Sequence, residues 1–191
     1  MNVKTYENIV DLLRKEYPAL SLDSVVDNIE EAVERFGVKV KYSDMSHIQS
    51  DEKISGYVHV VDNKPEIVVN GLQNDRRQRF TIAHELGHIL LHWKWLPREK
   101  WIHGSELPKG LVEVSYRKEN YLTEEENLRE RQADNFAAEF LAPLKDVVAF
   151  LKKFDNPDRE VSISRIAEKF RISKPAAFYR WKEAKEVVNE Q

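Results

Sequence analysis

No cysteine occurs among the 191 residues, which excludes disulfides, thiolate zinc sites and a catalytic thiol, and fits a reducing compartment. Any metal ligands must then be His, Asp or Glu. No apolar run approaches the ~18 residues that a membrane-spanning helix requires. Nor is there an excess of positive charge: 30 Lys and Arg stand against 33 Asp and Glu, a net charge of -3, so the whole molecule has no field to hold nucleic acid nonspecifically. The opening stretch MNVKTYENIVDLLRKEYP is charged at Lys4, Glu7, Asp11, Arg14, Lys15 and Glu16, which leaves no room for the apolar core of a signal peptide. A cytoplasmic location with no membrane contact is expected. Internal repeats and low-complexity tracts are also absent. What is present, 41% hydrophobic and 10% aromatic residues, is enough apolar side chain for one core and too much for a disordered chain.

The apolar pattern predicts an α+β fold. Val3, Tyr6, Ile9, Val10 and Leu13 recur at helical spacing, as do Val25, Val26, Ile29 and Val33 after a break at Pro18, so two helices are expected before Gly37. The period then changes to two. Val38, Val40 and Tyr42, then Gly56 to Val61 and Glu66 to Val69 around an Asp62-Asn63-Lys64-Pro65 turn, suggest a small, largely antiparallel sheet of about three strands. Helices follow at about 74–93 and from Thr123 to Leu141, the second opened by a Thr123-x-x-Glu126 capping box. The connection at 94–122, with Trp93, Trp95 and Trp101 near its entry, is long enough to suggest a lid or substrate-facing loop. Three more helical patterns lie at about 144–153, 162–170 and 174–188. Asn156-Pro157-Asp158 marks an expected boundary between residues 1–155 and a C-terminal helical segment at 156–191.

The chemistry concentrates at His84-Glu85-Leu86-Gly87-His88, set in an otherwise apolar helix. At ~3.6 residues per turn the two histidines share a face, and their nitrogens can converge on one Zn²⁺ at ~2.0–2.1 Å. Glu85 can project beside such a metal without ligating it, take a proton from water activated there, and deliver it to the leaving amine of a peptide. The plainer reading is a core helix with two histidines at chance spacing. Buried imidazoles need partners, however, and Gly87 inside a helix costs ~1 kcal/mol against Ala unless close approach requires it.

An open catalytic zinc site takes three protein ligands. Glu130 lies one turn before Ala133 on the apolar side of the second helix, where a carboxylate needs a counter-charge. Asp134 could accept the free N–H of a ligating imidazole and fix its tautomer. Spacing alone leaves Glu130 equally readable as a solvated member of the acidic run that starts at Glu124. The strings Arg79-Phe80-Thr81-Ile82-Ala83-His84-Glu85-Leu86-Gly87-His88-Ile89-Leu90-Leu91-His92 and Glu130-x-x-Ala133-Asp134-x-Phe136-Ala137-Ala138-Glu139-x-Leu141-x-Pro143 closely resemble the ImmA/IrrE family of metallopeptidases. The resemblance implies a zincin-like fold, a zinc site of His84, His88 and Glu130, and Glu85 as general base. It also implies site-specific cleavage of a helix-turn-helix repressor in phage, mobile-element or stress regulation, or pairing with an antitoxin.

Other residues carry less. His92, one turn beyond His88, reads as a histidine that is packed or bonded behind a metal ligand, and His103, Tyr116 and Tyr121 could each stabilise an oxyanion. His47 reads as a loop residue and His59 as a strand residue. The Arg76-Arg77-x-Arg79 cluster is expected to hold acidic side chains of the sheet or loop. Residues 161–185 have the outline of a helix-turn-helix, with seven Lys or Arg against two acids, so weak DNA contact and a packed two-helix cap are both open. The competing functional reading is a non-catalytic regulatory or toxin–antitoxin module that keeps zinc for stability. Glu85 separates the two, because a structural site has no use for it.

Overall fold

The computed structural model describes residues 3–46, 54–97, 113–114, 123–154 and 158–189. Helix α1 (Val3–Glu16) leads through a 3₁₀ turn at Pro18–Leu20 into α2 (Leu22–Asp27) and α3 (Ile29–Phe36). The second expected helix is thus two. Asn28 is extended, and its side chain accepts from the Glu31 N–H, so it starts a new helix in the middle of the apolar pattern. Gly37 ends α3 at φ +117°, a left-handed conformation that favours glycine.

Among the described residues four strands follow: β1 (Lys39–Ser43), β2 (Gly56–Val61), β3 (Lys64–Asn70) and the short β4 (Glu113–Val114), in the order β1-β3-β2-β4. The expected β2–β3 hairpin is present, turning through Asp62 and Asn63, both at positive φ. The expectation of a largely antiparallel three-stranded sheet needs correction. β1 runs parallel to β3, with Lys39 opposite Glu66 and Ser43 opposite Asn70, and β4 adds an antiparallel partner to Tyr57 and Val58, so the sheet is mixed. β3 is its central strand and is buried from Pro65 to Val69. Ile67 and Val69 face the helical core, whereas Val68 joins Met45 and Ile54 in a smaller cluster.

Below the sheet lie α4 (Asp75–Leu91) and α5 (Glu124–Leu141), followed by α6 (Leu144–Leu151), α7 (Arg159–Lys169) and α8 (Lys174–Asn189). The capping box at Thr123 and Glu126 opens α5 as the sequence predicts. Helices α4 and α5 pack side by side because small residues face each other. A Cβ added at Gly87 would lie 3.0 Å from the Phe136 ring and 3.3 Å from the Ala133 Cα, so glycine is what permits this approach. Side chains from α7 and α8, among them Ile163, Ile166, Phe170, Ala177 and Ala184, belong to the same hydrophobic cluster as Leu86, Phe136 and Phe140.

Three arginines tie distant segments through backbone oxygens. Arg14 donates to the Phe140 carbonyl at 2.7 Å, Arg79 to the Val25 carbonyl at 2.9 Å, and Arg171 to the Asp27 carbonyl at 2.6 Å. Within the arginine cluster at 76–79, Arg79 takes carbonyls and Arg77 donates to the Ser55 hydroxyl at 2.7 Å. No described helix is long and apolar enough to cross a membrane.

Candidate metal centre

His84 and His88 stand one turn apart on α4, and Glu130 reaches them from α5. His84 Nε2 lies 3.0 Å from His88 Nε2 and 3.2 Å from Glu130 Oε2, and His88 Nε2 lies 3.3 Å from Glu130 Oε1. Among the described residues this is the group of three that could hold a metal ion. The spacing has a physical meaning. Ligands at ~2.0–2.1 Å from a tetrahedral cation stand about 3.3 Å from one another, and these atoms form such a triangle. Two imidazole nitrogens facing each other at this distance also need a proton or a cation between them. The donor set of two imidazoles and a carboxylate, with a side still open, fits a divalent cation.

Hydrogen bonds behind the ligands aim them. Asp134 Oδ1 is 2.9 Å from His84 Nδ1, so the Nδ1–H donates to the carboxylate and Nε2 keeps its lone pair for the metal. On the other side, His92 Nδ1 lies 3.0 Å from His88 Nδ1, and His92 Nε2 lies 3.1 Å from Gln132 Oε1. Once His88 ligates through Nε2, one consistent proton assignment remains: His88 Nδ1–H donates to His92, and His92 Nε2–H donates to Gln132. Sequence reasoning missed Gln132. The available signal was its place on α5 between Glu130 and Asp134, opposite the 84, 88, 92 series on α4. His92→Ala is accordingly expected to weaken zinc binding about 10–100-fold in competition with a chromophoric chelator. His92→Gln, which keeps an acceptor, should restore part of the loss, whereas unchanged affinity in His92→Ala would leave His92 only a packing role.

The charges are strongly coupled. Burial disfavours the His84 imidazolium, but hydrogen bonds to Asp134 and Glu130 outweigh it, helped by the charge of Glu85, and hold its pKa up to about 10. Burial likewise opposes ionisation of Glu130, yet the contacts with His84 and His88 bring it well below the usual carboxylate range. A metal can ligate only neutral imidazole, so below pH 10 it must displace the His84 proton. Zinc uptake near neutral pH should therefore release about one proton per chain, and apparent affinity should climb about tenfold per pH unit. Calorimetry in buffers of different ionisation enthalpy measures this directly, and uptake without proton release would contradict the coupling.

Glu85 is 1% exposed, one position along α4 from His84. Trp95 packs edge-on to Phe36 in the core, and His59 bonds Glu66 within the sheet at 2.7 Å. His47, Trp101, His103, Tyr116 and Tyr121 lie outside the described residues, as does most of the 94–122 connection.

The sequence model of the IrrE N-terminal-like domain, peptidase family M78, matches residues 33–182. The chain belongs to the ImmA/IrrE family. No curated protein matches it in a direct search. The matched span contains α4, α5 and the complete His84, His88 and Glu130 group, so this metallopeptidase family and the triad geometry point to the same residues. As an ImmA/IrrE metallopeptidase, the chain has its site on two helices locked together at Gly87 and Ala133, which fixes the distance between the paired histidines and the glutamate.

Proposed function

We propose that this protein is a zinc-dependent endopeptidase of zincin-like architecture that cuts a separate protein chain, a helix-turn-helix repressor, at one or a few bonds in the cytoplasm. The observation that carries the reading is the convergence of His84, His88 and Glu130 with a buried carboxylate, Glu85, that the ligand set does not require. When bound, zinc supplies Lewis acidity, polarising a peptide carbonyl and making water more acidic. The chain's own residues then handle position and protons. His84 and His88, aimed by Asp134 and His92, hold the ion with Glu130. Glu85 takes a proton from the attacking water as the C–O bond forms, and passes it to the amine nitrogen as the C–N bond breaks.

These residues act on the peptide group, which every protein has, so selectivity must come from surfaces around them. Segment 54–69 offers no free strand edge at Tyr57 and Val58: β3 lies between β1 and β2, and β4, part of the 94–122 connection, already pairs with β2, so that connection is the better candidate. DNA binding is the weaker reading of the C-terminal helices. Arg180 is buried in an ion pair, Arg171 is spent on the Val26 and Asp27 carbonyls, and Arg165 lies over the Phe154 ring at 4.1 Å, leaving four lysines of the seven cations at 161–185. Contact with DNA through these should be weak and fall steeply with salt.

Incubating the zinc-loaded protein with casein and with helix-turn-helix repressors from its own genome, beginning with any encoded beside its gene, tests the proposal. The repressor should be cut at discrete positions and the casein left largely whole. Brisk digestion of casein would refute the selectivity, and an intact repressor with unchanged casein would favour an antitoxin-type or regulatory partner instead.

A further inference from the structure

Beside the metal triad, α4, α5 and the beginning of α8 enclose a cavity of about 560 Å³. Its floor is apolar, formed by Phe80, Ala138, Leu141, Ile172 and Ala176. The cavity adjoins the site at two points. The Phe80 ring centroid lies 6.1 Å from that of His84, and Asp134, on the cavity wall, is the carboxylate bonded to His84 Nδ1 at 2.9 Å. The opposite end has positive character. Arg76 is exposed there with no ion pair among the described residues, and Ser173 places the amino end of the 16-residue helix α8 at the same mouth. Arg180 on the wall adds no net attraction, because Glu139 and Glu183 answer it at 2.9 Å each.

From these features we infer a specificity subsite, an inference that rests on the peptidase reading above. The cavity takes the stretch of the substrate chain bordering the scissile bond, with an apolar side chain on the Phe80–Leu141–Ile172 floor and an acidic residue facing Arg76. Its volume lies within the ~300–1,000 Å³ of ordinary ligand pockets, which is room for more than one side chain. Arg76 precedes His84 by two turns, about 12 Å along the helix. An extended peptide covers that distance in about four residues. The acidic residue is therefore placed about four positions from the bond that is cut, with the apolar residue between them. The match is chemical on both counts: apolar surface meets an apolar floor, and a carboxylate meets a cation and a helix amino end.

The probe is a random dodecapeptide display library selected on the zinc-loaded Glu85→Gln protein, which binds without cutting. Enriched peptides should share an apolar residue followed or preceded at short, fixed spacing by Asp or Glu. Ala176→Trp, which fills the cavity from α8, should weaken the consensus peptide at least tenfold with zinc content and melting temperature unchanged. Arg76→Glu should turn the acidic preference toward Lys or Arg. If Ala176→Trp does not fold, Ala138→Phe closes the cavity from α5 and makes the same comparison. Enrichment without this pattern, or equal binding by the filled and charge-reversed variants, overturns the subsite. Consensus binding by a wild-type protein that cuts nothing would overturn the peptidase reading and spare the subsite. Wild-type rates of repressor cleavage by Ala176→Trp would do the reverse.

Discussion

Replacing Glu85 by glutamine should lower peptide-bond cleavage roughly 10²–10⁴-fold while leaving zinc content and thermal unfolding as in the wild type. The side chain is 1% exposed, and glutamine has its shape, so packing around α4 is preserved. What is lost is the capacity to accept a proton from water and return it to the leaving nitrogen. Because His84, His88 and Glu130 could hold an ion without Glu85, metal analysis and a cleavage assay on one preparation separate the two roles. A Glu85→Gln protein that cut at the wild-type rate would take the proton-carrying role away from Glu85, whereas one that kept full biological activity without cutting would end the peptidase reading. A variant that lost its zinc as well would make Glu85 part of the ligand shell.

The largest expected effect on stability is at the far end of α5. Arg180 and Glu139 meet at 2.9 Å with side-chain exposures of 6% and 2%, and Glu139 also faces the Leu144 N–H at the start of α6. Burial pushes the Glu139 pKa up, against the pull of Arg180 and the Leu144 N–H. Arg180→Met would leave that carboxylate buried without its cation, at a cost of about 3–5 kcal/mol, whereas removing both charges with apolar residues of similar size is close to neutral. Urea titration should therefore show a large loss for Arg180→Met and substantial recovery in Arg180→Met/Glu139→Leu. The sign with pH follows from the raised pKa. A carboxyl that binds its proton more readily when folded is least costly where it is protonated, so the Arg180→Met deficit should shrink as pH falls from 7 toward the carboxylate range. A single variant within ~1 kcal/mol of wild type at pH 7 would mean that water reaches the pair, contrary to its burial.

Local features of the fold could be read from the sequence because local forces make them. The Thr123–Glu126 capping box, the Asp62-Asn63 turn and the shared face of His84 and His88 depend on residues within one or two turns. The parallel pairing of β1 with β3 could not be read in this way, because Lys39 meets Glu66 only after the chain has passed through β2 and back. Glu130 marks the boundary between the two cases. Its spacing fits a solvated acidic run equally well, and what brings it to the histidines is the contact of Gly87 with Ala133, between segments whose separation in sequence hides it. Gln132 was missed for the same reason, since its partner His92 lies 40 positions away. The carbonyl-seeking arginines carry no sequence signature at all, because a backbone oxygen is the same under every side chain.

Those arginines also bear on how the molecule can be cut down. The matched family segment begins at residue 33, yet Arg79, on α4 ahead of His84 and His88, is buried and spends one guanidinium nitrogen on Val25. Arg171 relies on Val26 and Asp27, and Arg14 covers the carbonyl of Phe140 near the end of the helix that supplies Glu130. A fragment trimmed to the matched segment would keep every metal ligand and still strand a buried cation and a helix end. The first 32 residues thus work as a bolt across the back of the site, and a transplantable minimal peptidase would have to carry them along.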